Sequence, residues 1–243
     1  MDDGVRFDHA QSLSNKTTGA HGFDFHSIDL NSYLYREKRT LARMAAVLGN
    51  SSGAAYWTAQ ADTLLPLMQR YFYKPDPSGK GGFFQDRYFN GSFLKEQGCE
   101  GYAALFCEVA TNEQAAAVAV TLSDPRRFLL NFSLPTVSAL NPQFNANGYW
   151  KGSTWLDQVW FAYTGLKLYA AKGAGGGAGG VDLGKLADEI KQRTLSVGKG
   201  FGANDTTPLN EHYNPDTGNP IGAKQFSWTA AHSLMWAFEG RAP

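Results

Sequence analysis

One glutamate, Glu211, stands among aromatic and amide side chains in the segment 208–218, which reads PLNEHYNPDTG. Asn-Pro and Asp-Thr-Gly steps disfavour regular structure, so the sequence predicts that this glutamate lies on a loop. His212, Tyr213 and the downstream Trp228 would partly desolvate its carboxyl group, which favours proton exchange near neutral pH. The plainer interpretation is a solvated surface acid.

A second group of acids opens the chain, where residues 1–8 read MDDGVRFD and contain three aspartates and Arg6. An aspartate held beside an aromatic floor would be a proton donor, and Arg6 would then position substrate hydroxyl or carboxylate groups. A solvated chain terminus is the alternative.

Aromatic side chains are the third feature, because they make up 14% of the residues and stack well on the apolar faces of pyranose sugars. In the segment 149–155, which reads YWKGSTW, Trp150 and Trp155 flank a glycine-containing turn, and Lys151 could reach a ligand oxygen. The sequence leaves two interpretations of these tryptophans and of Trp228. They are either walls of a cleft or residues of the core.

The composition limits the classes of ligand. Lys plus Arg and Asp plus Glu both total 22 in 243 residues, so no net charge favours nucleic acid or an anionic membrane. A neutral ligand is the better match. The apolar runs fall far short of the roughly 18 residues that a membrane-spanning helix needs.

Other kinds of chemistry lack their signatures. The sequence has no Gly-x-Ser-x-Gly elbow, no phosphate-binding loop and no dinucleotide fingerprint, so no cofactor is expected. The histidines contain no i, i+4 pair, and the spacing of loop residues carries no metal-ligand pattern. A metal site is therefore disfavoured; it would draw on His9, His21, His26, Asp24 and Asp29.

Five segments match the Asn-x-Ser/Thr acceptor pattern for N-glycosylation, which mildly favours the secretory pathway. The acidic N-terminus, in contrast, carries no signal-peptide pattern. The sequence therefore leaves the compartment open. The five motifs start at Asn15, Asn50, Asn90, Asn131 and Asn204.

Helices would have to position these groups. The 3.6-residue spacing of apolar side chains and the turn signals between segments predict helices over 27–48, 54–73, 96–108, 112–121, 125–131, 153–171, 182–197 and 227–239. Pro66 should kink the second helix or divide it. No alternating strand runs of any length appear, although residues 80–91 would form a loop or a short hairpin.

The Gly-rich segment 172–180 is predicted as a flexible surface linker, with a weak domain boundary as the other possibility. Helices in pairs, joined by turn-rich segments, indicate an all-α layered architecture, either a solenoid or a closed ring of helical hairpins. The sequence shows no clear residue-level repeat, which disfavours the solenoid. A ring would gather loops from several hairpins around one cavity and so bring distant acids together.

Taken together, these motifs resemble the catalytic region of glycoside hydrolase family 63, which includes processing α-glucosidase I, bacterial α-glucosidases and mannosylglycerate hydrolases, with trehalase as a more distant relative. Six segments carry the resemblance in order across nearly the whole chain. They are MDD with RFD at 1–8, DLNSYL at 29–34, LPTVS at 134–138, YWKGSTW at 149–155, NEHYNP with TG at 210–218 and FSWTAA at 226–231.

The resemblance implies an (α/α)6 barrel and hydrolysis with inversion at the anomeric carbon. It assigns the general acid to Asp2 and the general base to Glu211. Where the family usually has arginine the chain has Lys151, which would exchange a bidentate contact for a point charge. The substrate-binding side chains that the resemblance implies are Arg6, Trp150, Lys151, Trp155, His212, Tyr213 and Trp228.

The length of the chain bears on the ring. Asp2 stands at the start of the sequence, and about seven to eight helices are predicted where a ring of six hairpins has twelve. We therefore expect a single (α/α) barrel catalytic domain over 1–243 that is incomplete at its N-terminus and associates with a missing N-terminal segment.

Hydrolysis of an α-glucoside, or of a related small-molecule or oligosaccharide α-glycoside, is the leading prediction for function. A non-catalytic carbohydrate-binding remnant is the first alternative, because the aromatic platforms could persist without a working acid. Another (α/α)-barrel sugar enzyme, such as an epimerase or a lyase, is the second.

Overall fold

Seven α-helices lie in the part of the chain that the computed structural model describes, residues 3–15, 17–19, 21–175, 180–202 and 204–239. Most predicted helices agree with them to within a few residues, and the second runs through Pro66 without a break. They are α1 (Ile28–Val47), α2 (Ser51–Tyr71), α3 (Tyr102–Phe106), α4 (Asn112–Leu122), α5 (Leu156–Ala171), α6 (Leu183–Val197) and α7 (Ser227–Ala237).

Side-chain caps fix where four of these helices begin. Ser27 caps α1, Asn50 caps α2, Thr111 caps α4 and Asp182 caps α6. Each side-chain oxygen accepts a hydrogen bond from a backbone N–H of the first turn, which typically stabilises a helix by about 1 kcal/mol. The cap on α1 matters for the site, because its first turn carries Asp29.

The helices pack as a layered row. Along the row α1 contacts α3, α3 contacts α5, and α5 contacts α7, while α2 packs on α1 and α6 packs on α5. α4 contacts both α5 and α6. Large side chains fill the space between them without exposure to solvent, among them Phe83, Phe128, Tyr102, Tyr163 and Tyr169. This mostly helical, layered arrangement agrees with the prediction.

The row is open at both ends. α1 exposes apolar side chains along one side of the helix, and α7 does so near its C-terminal end. Because exposed apolar rows of this kind mark contact surfaces, the described helices do not form a closed ring, in agreement with the incomplete barrel that was predicted. The exposed side chains are Leu30, Leu34, Met44 and Leu48 at α1 and Leu234, Met235 and Phe238 at α7.

Short strands correct the prediction of an all-α chain. Within the described ranges they form four two-stranded antiparallel sheets. Strands of two to five residues are too short to show an alternating pattern in the sequence. The pairs are β1 (Ser12–Ser14) with β2 (His21–Phe23), β3 (Phe25–His26) with β6 (Arg87–Tyr88), β4 (Tyr73–Pro75) with β5 (Gly82–Phe84), and β7 (Asn210–Tyr213) with β8 (Pro220–Lys224).

The helix predicted over 125–131 is wrong. The segment forms turns, in which the Asp124 carbonyl accepts hydrogen bonds from the N–H groups of Arg127 and Phe128. Asp124 precedes Pro125, and an Asp-Pro step favours a turn over the first turn of a helix. The apolar side chains whose spacing suggested a helix here, Phe128, Leu129 and Leu130, are buried by a turn instead.

Three other segments refine the prediction. The segment 80–91 contains β5 and β6, but these pair with β4 and β3 and do not form a hairpin with each other. Within 96–108 the α-helix is limited to α3, which a 3-10 turn precedes. The Gly-rich segment separates α5 from α6, and its residues 176–179 lie outside the described residues. No described helix is long and apolar enough to cross a membrane.

Candidate active site

Glu211 lies in β7, one strand of a hairpin, and not on a loop as the sequence predicted. The Asn-Pro and Asp-Thr-Gly steps form the turn that follows this strand. In that turn the Asn214 side-chain oxygen accepts hydrogen bonds from the N–H groups of Asp216 and Thr217, both at 3.0 Å. The Asn-Pro and Asp-Thr-Gly steps therefore do form a turn, but the turn comprises the residues that follow Glu211.

Hydrogen bonds fix this hairpin between the N-terminal ends of α5 and α7. Thr154, which precedes α5, exchanges two backbone hydrogen bonds with Tyr213, at 2.8 and 2.9 Å. In the first turn of α7, the Thr229 hydroxyl donates to the Asn210 carbonyl at 2.7 Å. The strand that carries Glu211 is thus held on both sides by the helical row.

A glycine bulge brings the backbone of β8 up to the Glu211 carboxylate. The pairing register shifts here, so that Glu211 faces both Gly222 and Ala223. The Ala223 N–H donates to Glu211 Oε2 at 3.1 Å. Gly222 has a φ of +76°, and a Cβ at this position would lie 2.7 Å from Glu211 Oε2. Glycine tolerates both the left-handed backbone and this close approach.

Tyr149 is the second donor to Glu211, with its hydroxyl 3.2 Å from Oε1. Its φ of +47° is uncommon for a residue with a Cβ. The ring is fixed by edge-on contacts with Trp155 and His212, at centroid distances of 5.1 and 5.3 Å. A strained backbone that the surrounding packing holds in place is frequent at functional sites. One backbone donor and one side-chain donor therefore orient the Glu211 carboxylate.

Three flat rings form a stack beside this carboxylate. Trp150 and Trp155 lie 3.9 Å apart at an angle of 11°, and His212 stacks on Trp155 at 5.4 Å and 10°. Both tryptophans are buried, which decides for the core interpretation of these two residues. Trp228 is 51% exposed and lies 6.0 Å from Trp155, so it offers a free aromatic face to a ligand.

Burial lowers the pKa of His212 below its ordinary value, although the charges of Glu211 and Asp3 act in the opposite direction. Its Nδ1 is buried without a hydrogen-bond partner. The imidazole is therefore neutral at neutral pH, and it acts as a flat ring beside Glu211. The influence of Asp3 also means that the acidic start of the chain lies within electrostatic range of this ring.

Side-chain contacts hold the N-terminal segment against the turn that carries Tyr149. The Lys151 ammonium donates to both Asp8 oxygens at 2.9 Å, and Gln143 donates to Asp8 at 2.8 Å. Residues 4–6 and Trp150 line one small cavity of about 10 Å³, which has room for about one water. Asp2, the predicted general acid, lies outside the described residues.

Arg6 belongs to a buried cluster of ion pairs. Its guanidinium donates to Asp29 at 3.0 and 3.1 Å and to Asp86 at 3.2 Å. Burial disfavours the charged forms of Arg6 and Asp29, but their mutual attraction and hydrogen bonds outweigh this effect. The pKa of Arg6 is therefore raised and the pKa of Asp29 is lowered. Asp86 also accepts the Ile28 N–H at 2.8 Å, in the first turn of α1. Arg6 therefore fastens the N-terminal segment to α1.

A family model matches most of this chain. Residues 1–229 match the mannosylglycerate hydrolase MGH1-like glycoside hydrolase domain. The chain belongs to this glycoside hydrolase family. The predicted resemblance to glycoside hydrolase family 63 is thereby confirmed.

The relatives in this family are longer than the chain. Mannosylglycerate hydrolase MGH1 from Selaginella moellendorffii is 30% identical over 218 residues, which is 86% of this chain and 38% of the relative. Glucosylglycerate hydrolase from Mycolicibacterium hassiacum is 28% identical over 141 residues, 56% of this chain and 27% of the relative. The chain thus spans less than half the length of these relatives.

The fold of this chain agrees with part of a solved structure. The GH63 mannosylglycerate hydrolase from Thermus thermophilus, in complex with Tris, matches with a TM-score of 0.67 at 21% identity, covering 88% of this chain and 45% of that one. At this identity the match concerns the fold alone. The helical row therefore has the fold of part of that solved chain.

Within the candidate site, three predicted binding residues have other roles. Tyr213 is fully buried, and its hydroxyl accepts the Asn210 N–H at 2.9 Å, so it supports the hairpin and does not face a ligand. The charges of Lys151 and Arg6 are both engaged by aspartates. The structure brings together the remaining predicted residues Glu211, His212, Trp150, Trp155 and Trp228.

Sequence reasoning missed two residues around Glu211. Tyr149 is the first residue of the YWKGSTW motif and could have been given a role with it, whereas the role of Gly222 depends on the register of a hairpin and has no local signal. Asp157, in the first turn of α5, was also not singled out; burial raises its pKa, and its Oδ1 is buried without a hydrogen-bond partner. In the described part of the chain, no three His, Cys, Asp or Glu side chains are grouped so as to hold a metal.

The Arg6 cluster makes stability dependent on pH through Glu100. Burial raises the pKa of Glu100 from 4.5 to about 8, against the attraction of Arg6, and the charges of Asp86 and Asp29 add to the shift. Between these pH values the folded chain keeps a proton that the unfolded chain has released. Stability contributed by this group is therefore present below about pH 4.5 and is lost as the pH rises through 8.

We expect Glu100→Gln to be neutral near pH 4.5 and to raise the free energy of unfolding by about 2–4 kcal/mol at pH 9. Denaturant unfolding at several pH values measures this difference. Glu37→Gln, which changes an exposed glutamate of α1, provides the control and should show no such trend. A difference between Glu100→Gln and the parent that stays constant with pH would contradict the assignment.

Proposed function

We propose that this protein hydrolyses the α-glycosidic bond of a small hexoside with inversion at the anomeric carbon. Glu211 is the general base and Asp2 the general acid. The observation that carries the proposal is the carboxylate of Glu211, fixed at two oxygens by Ala223 and Tyr149 beside the exposed ring of Trp228. An oriented carboxylate next to an aromatic platform is the arrangement that activates a water molecule against a bound sugar.

The base acts on water because both fixed donors leave lone pairs of the carboxylate available. Each carboxylate oxygen accepts more than one hydrogen bond, so Oε1 and Oε2 can accept from a water while they keep Tyr149 and Ala223. The neutral His212 ring supplies no competing positive charge beside it. In an inverting reaction this water attacks one face of the sugar while the acid protonates the departing oxygen on the other.

The acid is assigned to Asp2 because the segment that follows it is anchored near Glu211. Asp8 binds Lys151, next to Tyr149, and Asp3 acts electrostatically on His212. Inverting hydrolases place their two carboxyl groups about 6.5–9.5 Å apart, which leaves room for the water.

The substrate class follows from the family. Relatives of this chain are named as hydrolases of mannosylglycerate and of glucosylglycerate, so a glucosyl or mannosyl residue on a small aglycone is the substrate that we propose, with the α-glucoside as first choice. The open ends of the helical row at α1 and α7 need a covering partner. We propose that a further helical segment covers them and completes the catalytic ring.

A non-catalytic carbohydrate-binding chain is the second candidate. It is favoured by the exposed ring of Trp228 beside an aromatic stack that is complete within the described residues. Saturable sugar binding without release of product would identify it.

The test for the acid compares two leaving groups. In an active preparation, proton NMR should show the β-anomer of the sugar as the first product. Asp2→Asn should slow hydrolysis of a glycosylglycerate by about 10³-fold, and much less that of an aryl glycoside whose leaving group needs no proton. The neighbouring Asp3→Asn is the matched control. Equal rates for Asp2→Asn and the parent protein on both substrates would exclude Asp2 as the acid.

A further inference from the structure

A second polar cleft lies at the end of α5 that is remote from Glu211. It has a volume of about 630 Å³ and is bounded by α1, by α2 and by the residues that follow α3 and α5. Lys172 at its edge follows the last residue of α5, whereas Trp155 precedes the first. A helix of 16 residues is about 24 Å long, so this cleft is separate from the proposed catalytic site.

One face of α1 is buried in the N-terminal half of the helix, and arginines occupy the continuation of this face along the cleft. Ile28, Ser32 and Tyr35 are the buried residues of this stripe, and Arg39 and Arg43 continue it at spacings of four residues. Residues spaced by three or four lie on the same side of a helix. Because a core-facing stripe is normally continued by apolar side chains, arginines at these positions indicate a cavity that is kept polar.

Two arginines of the cleft have partners in the protein. Arg36 donates to the Phe106 carbonyl, and its guanidinium lies 4.0 Å from the centroid of the Phe106 ring. Arg39 pairs with Asp62 at 3.2 Å, but both side chains are largely exposed, and such pairs contribute little stability. A ligand could therefore replace this contact at low cost.

Of the two other cations in the cleft, Lys172 and Arg43, only Lys172 is paired with a carboxylate among the described residues. Lys172 pairs with Glu108 at 2.7 Å. Arg43 lies 3.4 Å from the Thr40 hydroxyl and has no ion pair with any described residue. Three arginines and one lysine thus face two carboxylates, those of Asp62 and Glu108, so the cleft carries net positive charge in a chain that is neutral as a whole.

We propose that this cleft binds a phosphorylated small molecule. Two guanidinium groups at i, i+4, from Arg39 and Arg43, present paired N–H donors to phosphate oxygens, the geometry in which arginine recognises phosphate best. Ala42, Ala46 and Ala54 form a small apolar surface for the organic part of the ligand. The volume lies within the range of small-molecule sites, about 300–1,000 Å³. The ligand is distinct from the sugar substrate.

Calorimetric titration with inorganic pyrophosphate tests the proposal. The parent protein should bind it in a saturable way at low ionic strength, and Arg39→Gln with Arg43→Gln should weaken binding at least about tenfold. The control is Lys185→Gln with Lys199→Gln, which removes the same charge at exposed positions outside the cleft and should leave the affinity within about twofold. Glu211→Gln should also bind pyrophosphate as the parent does.

Two outcomes would overturn the proposal. One is the absence of saturable binding by the parent protein. The other is equal weakening by both double variants, since this would mean that net charge alone attracts the probe. Should the double arginine variant unfold, the single change Arg43→Gln gives the same comparison, because it breaks no ion pair between described residues; binding as tight as in the parent would then refute the site.

Discussion

Glu211→Gln is expected to reduce the rate of hydrolysis by about 10³-fold while leaving the fold and sugar binding intact. The glutamine carbonyl can still accept a hydrogen bond from the Ala223 N–H or the Tyr149 hydroxyl, so the side chain keeps its orientation. An amide, however, cannot take a proton from water. The loss should therefore appear in kcat, with little change in KM.

The matched control is Asp216→Asn, an exposed acid in the turn of the same hairpin, which should retain the activity of the parent. A second readout uses Glu211→Ala with azide. Azide would replace the water in the cleared space and form the β-glycosyl azide, while the aglycone oxygen leaves with a proton from the acid. Normal turnover by Glu211→Gln would remove Glu211 from the mechanism.

Gly222→Ala is expected to lower kcat by about 10²-fold, because a displacement of about 1 Å at a reacting group has an effect of that size. The added methyl group would meet Glu211 Oε2 at 2.7 Å and Glu211 Cβ at 3.0 Å. The carboxylate must then leave its position against Ala223. A left-handed φ adds a cost of about 1–2 kcal/mol to folding for any residue with a Cβ.

Gly49→Ala separates these two effects. Gly49 has a similar φ of +72°, yet a Cβ there would meet nothing within 4 Å. We expect this variant to lose stability like Gly222→Ala and to keep full activity. If the two variants had the same kcat, the close approach of Gly222 would have no bearing on the base.

Much of the helical row could be predicted from the sequence, because its signals are local. Ser27, Asn50, Thr111 and Asp182 cap helices by contacts with residues three positions later, and the apolar spacing extends each helix from there. The strands could not be found in this way. β3 and β6 are two residues each and are about sixty residues apart, so their pairing depends on the packing of the whole chain.

The candidate site shows the same division. Residue types identified Glu211 and its aromatic neighbours, since a carboxylate among flat rings is recognisable without coordinates. The direction of each side chain was not recognisable. Tyr213 is turned into the core by the backbone bonds of β7 to Thr154, and Arg6 is turned away from a ligand by Asp29, which stands 23 residues further on.

The contacts of Glu211 also determine when the site can form during synthesis. Its donor Tyr149 is 62 residues earlier in the sequence, and Lys151, which anchors the N-terminal segment, is 143 residues from its partner Asp8. Contacts over such separations form late, after local helices. A ribosome must therefore release the whole segment from Asp8 to Glu211 before all of these contacts can form.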